Sequence, residues 1–172
     1  MTMEIAVHPD GRLQWAGTIV PCRLGQAGIR REKREGDGAT PAGSWALRRV
    51  LYRPDREARP ATALPVAAIG HNDGWCDDPA HGDYNRPVRL PHPASCERLW
   101  RDDGLYDLLV VLGHNDAPPV AGLGSAIFLH VADPDGKPTR GCVALARPDL
   151  RALLAHCRPG DRLTVLAPAE QG

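Results

Sequence analysis

Apolar and polar residues alternate from Glu4 to His8, stop at Pro9-Asp10-Gly11, and resume from Leu13 to Val20. A two-residue period marks a half-buried strand, and Asp-Gly between two such runs favours a tight turn, so the N-terminus is predicted to open with a β-hairpin. Further short apolar runs span Ser44–Tyr52, Leu64–Ile69, Tyr106–Gly113 and Ala126–Leu129, the last ending at His130; others begin at Val143 and cover Arg162–Leu166. Each is bounded by turn formers and is expected to be a strand. Two short helices are expected. One covers Ser95-Cys96-Glu97-Arg98-Leu99-Trp100, with Ser95 as its N-cap. The other runs from Pro148 to Cys157, where Leu150, Leu153 and Leu154 share a face and the proline suits the first turn.

The remaining stretches read as connections. Residues 23–38 place Arg23, Arg30, Arg31, Lys33 and Arg34 among glycines and read as a solvated basic loop. Gly36 to Gly43 is a dense turn cluster, and residues 53–62 are polar. His71 to Cys96 is irregular and polar, and a connection this long suggests a lid or a substrate-binding wall. The tail, Ala167 to Gly172, is expected to fray. The expectation is a mainly β protein with short helices, built as a single domain over residues 1–172.

Composition narrows the function classes. Net charge is zero and the pI is near 7.0, so the electrostatic footprint of a nucleic-acid or polybasic membrane partner is missing. With 18 Gly, 17 Pro and 5% aromatic residues, the composition favours short strands and many turns over long helices. No apolar run approaches the roughly 18 residues a membrane span needs. The N-terminus lacks the basic start, apolar middle and small-residue cleavage site of a secretory signal, which reads as cytoplasmic. Cys22, Cys76, Cys96, Cys142 and Cys157 are odd in number and irregularly spaced, so reduced thiols are expected. His71, Cys76, His81, His92 and Cys96 invite a zinc reading, but their spacings match no common finger or ribbon, so no metal and no cofactor are expected.

The chemistry concentrates between residues 126 and 145. One apolar run ends at His130; the turn-rich Asp133-Pro134-Asp135-Gly136-Lys137-Pro138 follows; Thr139, Arg140 and Gly141 then lead to Cys142. A histidine ending one strand and a cysteine opening the next can meet across such a loop and form a nucleophile–base pair. Gly141 lets a substrate carbonyl approach the main chain, where the N–H groups of Gly141 and Cys142 would hold an oxyanion. The same residues also suit a small buried thiol and a hydrogen-bonded strand-end histidine, and both readings stand on these residues alone. The order, histidine before cysteine, does not fit the papain-like plan.

Several elements together resemble the L,D-transpeptidase catalytic domain, the YkuD-like family. They are Thr40-Pro41-Ala42-Gly43, His130, and Thr139-Arg140-Gly141-Cys142-Val143. Trp75-Cys76-Asp77-Asp78, Tyr84-Asn85-Arg86 and Glu97-Arg98-Leu99-Trp100-Arg101 resemble a single-domain branch of that family, and the likeness covers about residues 36–166. The resemblance implies a β-sandwich-like fold and a cysteine acyltransferase that acts on peptidoglycan stem peptides without metal or cofactor. It implies attack by Cys142 on the carbonyl between a diamino acid at stem position three and the terminal D-Ala. His130 would act as the base, Gly141 and Cys142 as oxyanion donors, and Thr139 as an orienting residue. Release of D-Ala would be followed by a 3–3 cross-link or D-amino acid exchange; with water as acceptor the enzyme would be an L,D-carboxypeptidase or another cysteine amidase. A non-catalytic peptidoglycan-binding module is the reading from a different class. Carbapenem-type inhibitors would acylate the same cysteine, and a monomer is expected. Arg140, His114, Tyr84, Asn85, Arg86 and Trp75 are the expected substrate-binding residues. Many members read Ser-His-Gly-Cys-(Ile/Val)-Arg, whereas this chain has Arg140 for the second histidine and Ala144 for the arginine. Arg140, Arg147 and Arg86 are the candidates to recognise a substrate carboxylate in its stead. Such a substrate would place the protein in the cell envelope if it is exported or if its start lies upstream.

Overall fold

The computed structural model describes residues 2–170. Its first strands are β1 (Glu4–His8), β2 (Arg12–Trp15), β3 (Thr18–Arg23), β4 (Ile29–Arg30), β5 (Thr40–Pro41), β6 (Gly43–Tyr52) and β7 (Val66–Ala68). Then come β8 (Asp73–Cys76), β9 (Pro87–Arg89), β10 (Cys96–Arg98), β11 (Leu108–Leu112), β12 (Phe128–Val131), β13 (Val143–Leu145), α1 (Arg147–Leu154) and β14 (Arg162–Val165). The predicted N-terminal hairpin is present, and a second turn at Ala16-Gly17 adds a third strand to it. Met1 and the last two residues of the tail expected to fray lie outside the described residues.

The main sheet runs β11-β12-β13-β3-β2-β1-β14-β6-β7, and β6 also pairs with β11. That extra pairing closes the sheet into a barrel. The ten-residue β6 makes it possible: Gly43 to Ala46 pairs with β14, while Leu47 to Tyr52 pairs with β11. A small closed barrel has no free edge and fills its interior with side chains. All eight strands of the ring contribute, with Ile5, Leu13, Val20, Val50, Val110, Leu129, Val143 and Leu163 among the interior residues. The buried leucines of α1, Leu150, Leu153 and Leu154, join the same core.

β11 and β12 are apolar at almost every position because both of their faces are covered. Leu108, Val110 and Leu112 point into the barrel, whereas Leu109 and Val111 join a second cluster with Phe128, Tyr106, Trp75 and Leu99. The cover over this second face is a three-stranded flap, ordered β10-β8-β9. This corrects two expectations. Residues 71–96 are not irregular throughout, since they hold β8 and β9. Residues 95–100 are not a helix, since Cys96, Glu97 and Arg98 pair with Cys76, Trp75 and Gly74. Six residues cannot sustain a helix without strong tertiary support, and here the available partner is a strand about twenty residues upstream. Ser95 caps nothing; its hydroxyl donates to Asp77 at 2.7 Å. Among the described residues no helix is long and apolar enough to cross a membrane.

Candidate active site

Cys142 and His130 come together on the second, flap-covered face. The parallel register sets Leu129 beside Val143 and His130 beside Ala144. Cys142, one residue before β13, therefore lies next to Phe128, and Phe128, His130 and Cys142 project to the same side because side chains alternate along a strand. His130 and Cys142 are diagonal neighbours across two adjacent strands, a separation long side chains can span. Both line one cleft of about 530 Å³.

The thiol is held by the backbone. Its Sγ accepts from the Phe128 N–H at 3.3 Å and donates to the Ala126 carbonyl at 3.2 Å. The His130 Nδ1 sits 2.8 Å from the Val131 carbonyl. A carbonyl only accepts, so Nδ1 carries the hydrogen and Nε2 keeps the lone pair. Burial, helped by the nearby Glu97, pushes the Cys142 thiol up to about 12. Burial also pulls His130 down to about 4, against the bond to Val131 that favours its charged form. With the thiol raised and the imidazole lowered, both groups are neutral at pH 7.

Beneath the thiol the chain is packed too tightly for side chains. Gly141 has φ 147°, and a Cβ there would stand 2.9 Å from the Ala39 carbonyl. The Thr139 hydroxyl donates to the Cys142 carbonyl at 2.6 Å and accepts the Gly141 N–H at 3.1 Å. The expected pair of backbone donors is therefore reduced in the resting structure: the Gly141 hydrogen is already engaged by Thr139. Thr139 is tied in turn to the segment 24–26, through Thr139 N–H to Leu24 O and Gln26 N–H to Thr139 O, both 2.9 Å. Thr40 secures that segment by accepting the Gly25 N–H at 2.9 Å. The Thr40–Gly43 element, expected as turns, is the platform under Gly141–Cys142, with Thr40 fully buried in β5.

The cleft walls carry both signs of charge. Lys33, Arg101 and the exposed Arg140 line it together with Glu35, Asp77 and Glu97. Lys33 is buried and paired with Asp37 at 2.5 Å, so the expected solvated basic loop is folded into the site at this point. Tyr84 donates to Glu35 at 2.7 Å, and Ser125 reaches the same carboxylate at 3.0 Å. Glu97 accepts from the Tyr106 hydroxyl, and burial holds its carboxyl above the usual range. Arg101 lies over the Tyr106 ring, 4.8 Å from its centroid. Lys33, Glu35, Glu97, Arg101 and Tyr106 were not among the expected site residues, although Lys33 lies in the basic loop and Glu97 and Arg101 in an element of the family resemblance.

The other expected substrate-binding residues sit elsewhere. Trp75, Asn85, Arg86 and His114 line a separate recess of about 160 Å³. Asn85 is a buried clamp. Its Oδ1 accepts from Trp75 Nε1 at 2.9 Å and from Ala126 N–H at 3.0 Å, and its Nδ2 donates to the His114 and Asn115 carbonyls at 3.1 and 2.7 Å. It thereby fixes Ala126, a non-glycine residue at φ 53° whose carbonyl receives the thiol hydrogen. His114 packs edge-on against Trp45, and burial, with Lys33 nearby, pulls it down to about 4. Tyr84 stands behind Glu35. Of the arginines considered for a substrate carboxylate, Arg140 is in the cleft, whereas Arg147, the first residue of α1, pairs with Glu57 and Asp107.

Barrel, flap and thiol cleft define the class. A family model of the L,D-transpeptidase catalytic domain, YkuD, matches residues 4–165, and the chain belongs to that family. A search of curated proteins finds no match. Among solved structures, Bd1075 of Bdellovibrio bacteriovorus is 17% identical with a TM-score of 0.50, covering 95% of this chain and 47% of that one. The helical cell shape determining protein Pgp2 of Campylobacter jejuni is 14% identical with a TM-score of 0.47, covering 98% and 49%. An L,D-transpeptidase from Mycobacterium smegmatis is 12% identical with a TM-score of 0.44, covering 96% and 58%. The chain spans about half the length of these structures, and at such identities the likeness concerns the fold alone.

Proposed function

We propose that this chain is a cysteine L,D-transpeptidase acting on peptidoglycan tetrapeptide stems. The observation that carries the reading is the placement of Cys142 and His130 on one face of adjacent strands, opening into a cleft of mixed charge. Family membership supports peptidoglycan stems as the substrate class. A stem peptide with a diamino acid offers an ammonium group and carboxylates; Glu35, Glu97 and Asp77 suit the first, and Arg101, Arg140 and Lys33 the second.

In the proposed reaction, the Cys142 thiol gives its proton to His130 Nε2 as the sulfur attacks the carbonyl preceding the terminal D-Ala. The Cys142 N–H stabilises the oxyanion, joined by the Gly141 N–H if it turns from Thr139. The C–N bond breaks, His130 returns the proton to the leaving D-Ala amine, and a thioester remains. An acceptor amine attacks the thioester, its proton passes through His130 to the departing sulfur, and the enzyme is restored. With neutral partners at rest, the thiolate forms only as attack proceeds.

The test is incubation with a disaccharide-tetrapeptide donor, with products resolved by mass spectrometry. Released D-Ala with a cross-linked dimer is the expected result. D-Ala without a dimer would assign an L,D-carboxypeptidase, and binding without any product would make the chain a peptidoglycan-binding module.

A further inference from the structure

We propose a second, structural site in the flap: a zinc ion bound by Cys76, His81, His92 and Cys96. The fold gathers four of the five residues whose spacings looked unhelpful in sequence. Cys76 ends β8, Cys96 begins β10, and the two are directly opposed in the antiparallel register. His92 joins them from the turn before β10, and the ligand atoms of Cys76, His92 and Cys96 all lie within 4.8 Å of one another. His81 comes from the loop after β8, its ring 4.7 Å from that of His92. With Asp83 and His92 it forms an overlapping group within the same 4.8 Å. His71, the fifth residue, is elsewhere, stacked on Trp100 at 3.8 Å.

Two thiols and two imidazoles are the donor set of a closed, tetrahedral zinc site. Ligands about 2.0–2.3 Å from zinc stand about 3.3–3.8 Å apart, so small rotamer adjustments bring Cys76, His92 and Cys96, already within 4.8 Å of one another, onto one ion, and His81 completes the set by turning toward the two thiols from its place beside His92. Asp83 lies 3.0 Å from His92 Nε2. A carboxylate on the outer nitrogen of a histidine ligand fixes ring and tautomer, so His92 would bind through Nδ1, exchanging its present bond from the Ala94 N–H. Zinc binding releases the two thiol protons to solvent and leaves a neutral four-ligand centre. A disulfide between Cys76 and Cys96 is the competing use of the opposed thiols, but it gives the convergence of His81, His92 and Asp83 no role.

The site has a structural consequence for the cleft. The residues that follow the two cysteines, Asp77 and Glu97, both line the cleft of Cys142. A metal tying Cys76 to Cys96 therefore pins both acids of the flap wall.

The experiment is cobalt(II) titration of the reduced full chain, read by absorption, with zinc content measured on protein as purified. One zinc per chain and, for cobalt, a thiolate charge-transfer band with the visible bands of a tetrahedral site are expected. Cys142→Ala should retain both signals, and Cys96→Ser should lose the charge-transfer intensity by about half or entirely. Asp83→Ala should bind about 10–100-fold more weakly. No thiolate band from reduced, folded wild-type protein would overturn the proposal, as would a Cys76–Cys96 disulfide in purified protein with no cobalt uptake after reduction. These readouts are independent of transpeptidase turnover.

Discussion

The barrel face and the flap each hold cysteine beside histidine, and the two groups are built differently. On the barrel face, Cys142 and His130 belong to neighbouring parallel strands and meet diagonally, each fixed by the backbone: the thiol by Phe128 and Ala126, the imidazole by Val131. In the flap, Cys76 and Cys96 face one another directly, and two histidines arrive from flanking loops. The first arrangement leaves one thiol and one imidazole lining a cleft of about 530 Å³. The second turns its donors toward one another. Residue type alone did not distinguish a site open to a ligand from one closed on itself; strand register did.

The largest effect that sharpens this contrast comes from exchanging which cysteine is removed. Cys142→Ala should lower D-Ala release by at least about a thousandfold, because the nucleophile is lost, while leaving the flap thiols in place. Cys96→Ser should leave acylation at Cys142 measurable. Equal loss in both variants, measured by donor turnover on folded protein, would erase the functional distinction.

Asn85 joins the two regions, since it takes hydrogen bonds from the flap residue Trp75 and the cleft residue Ala126. Asn85→Ala should destabilise the fold by about 3 kcal/mol by orphaning buried partners, read by chemical denaturation. Its turnover should also fall, because Ala126 would be free to relax from φ 53°.

Acid should act on the barrel side. His130 and His114 both titrate at about 4 in the folded protein and near the usual 6.5 when unfolded. The unfolded chain thus binds more protons between these values, and stability present above pH 6.5 is lost as pH falls toward 4, by about 3 kcal/mol per histidine. Denaturation midpoints across pH 4–7 should show this slope, and His114→Gln should flatten it. The smallest effect is expected for Thr139→Val, which removes the bonds to Gly141 and Cys142 at a cost of about 1 kcal/mol and a modest drop in turnover.

Strands with clear periodicity were legible in sequence: the N-terminal hairpin, β6, β11, β12 and β14 fall where alternation or apolar runs placed them. So was the helix with leucines at 150, 153 and 154. The flap was not, because its strands are three or four residues long, lie among prolines and aspartates, and pair across gaps that no local pattern reveals. For the candidate site, Thr139, Gly141 and Cys142 form one compact motif, and His130 precedes it by a single turn-rich loop. The cleft walls come from residues 33–35, 97–101 and 106, whose convergence depends on the barrel and on the Thr40–Gly25–Thr139 ties. Barrel closure was invisible as well, since it rests on β6 changing partners midway along its length.

The central claim is that Cys142 forms the acyl-enzyme. Its most direct test is intact-mass spectrometry of the protein mixed with a tetrapeptide donor, and in parallel with a carbapenem, followed by peptide mapping. The account predicts a single adduct, confined to the peptide containing Cys142 and absent from Cys142→Ala. An adduct spread over Cys22, Cys76, Cys96 and Cys157, or none from folded, reduced protein, would contradict it.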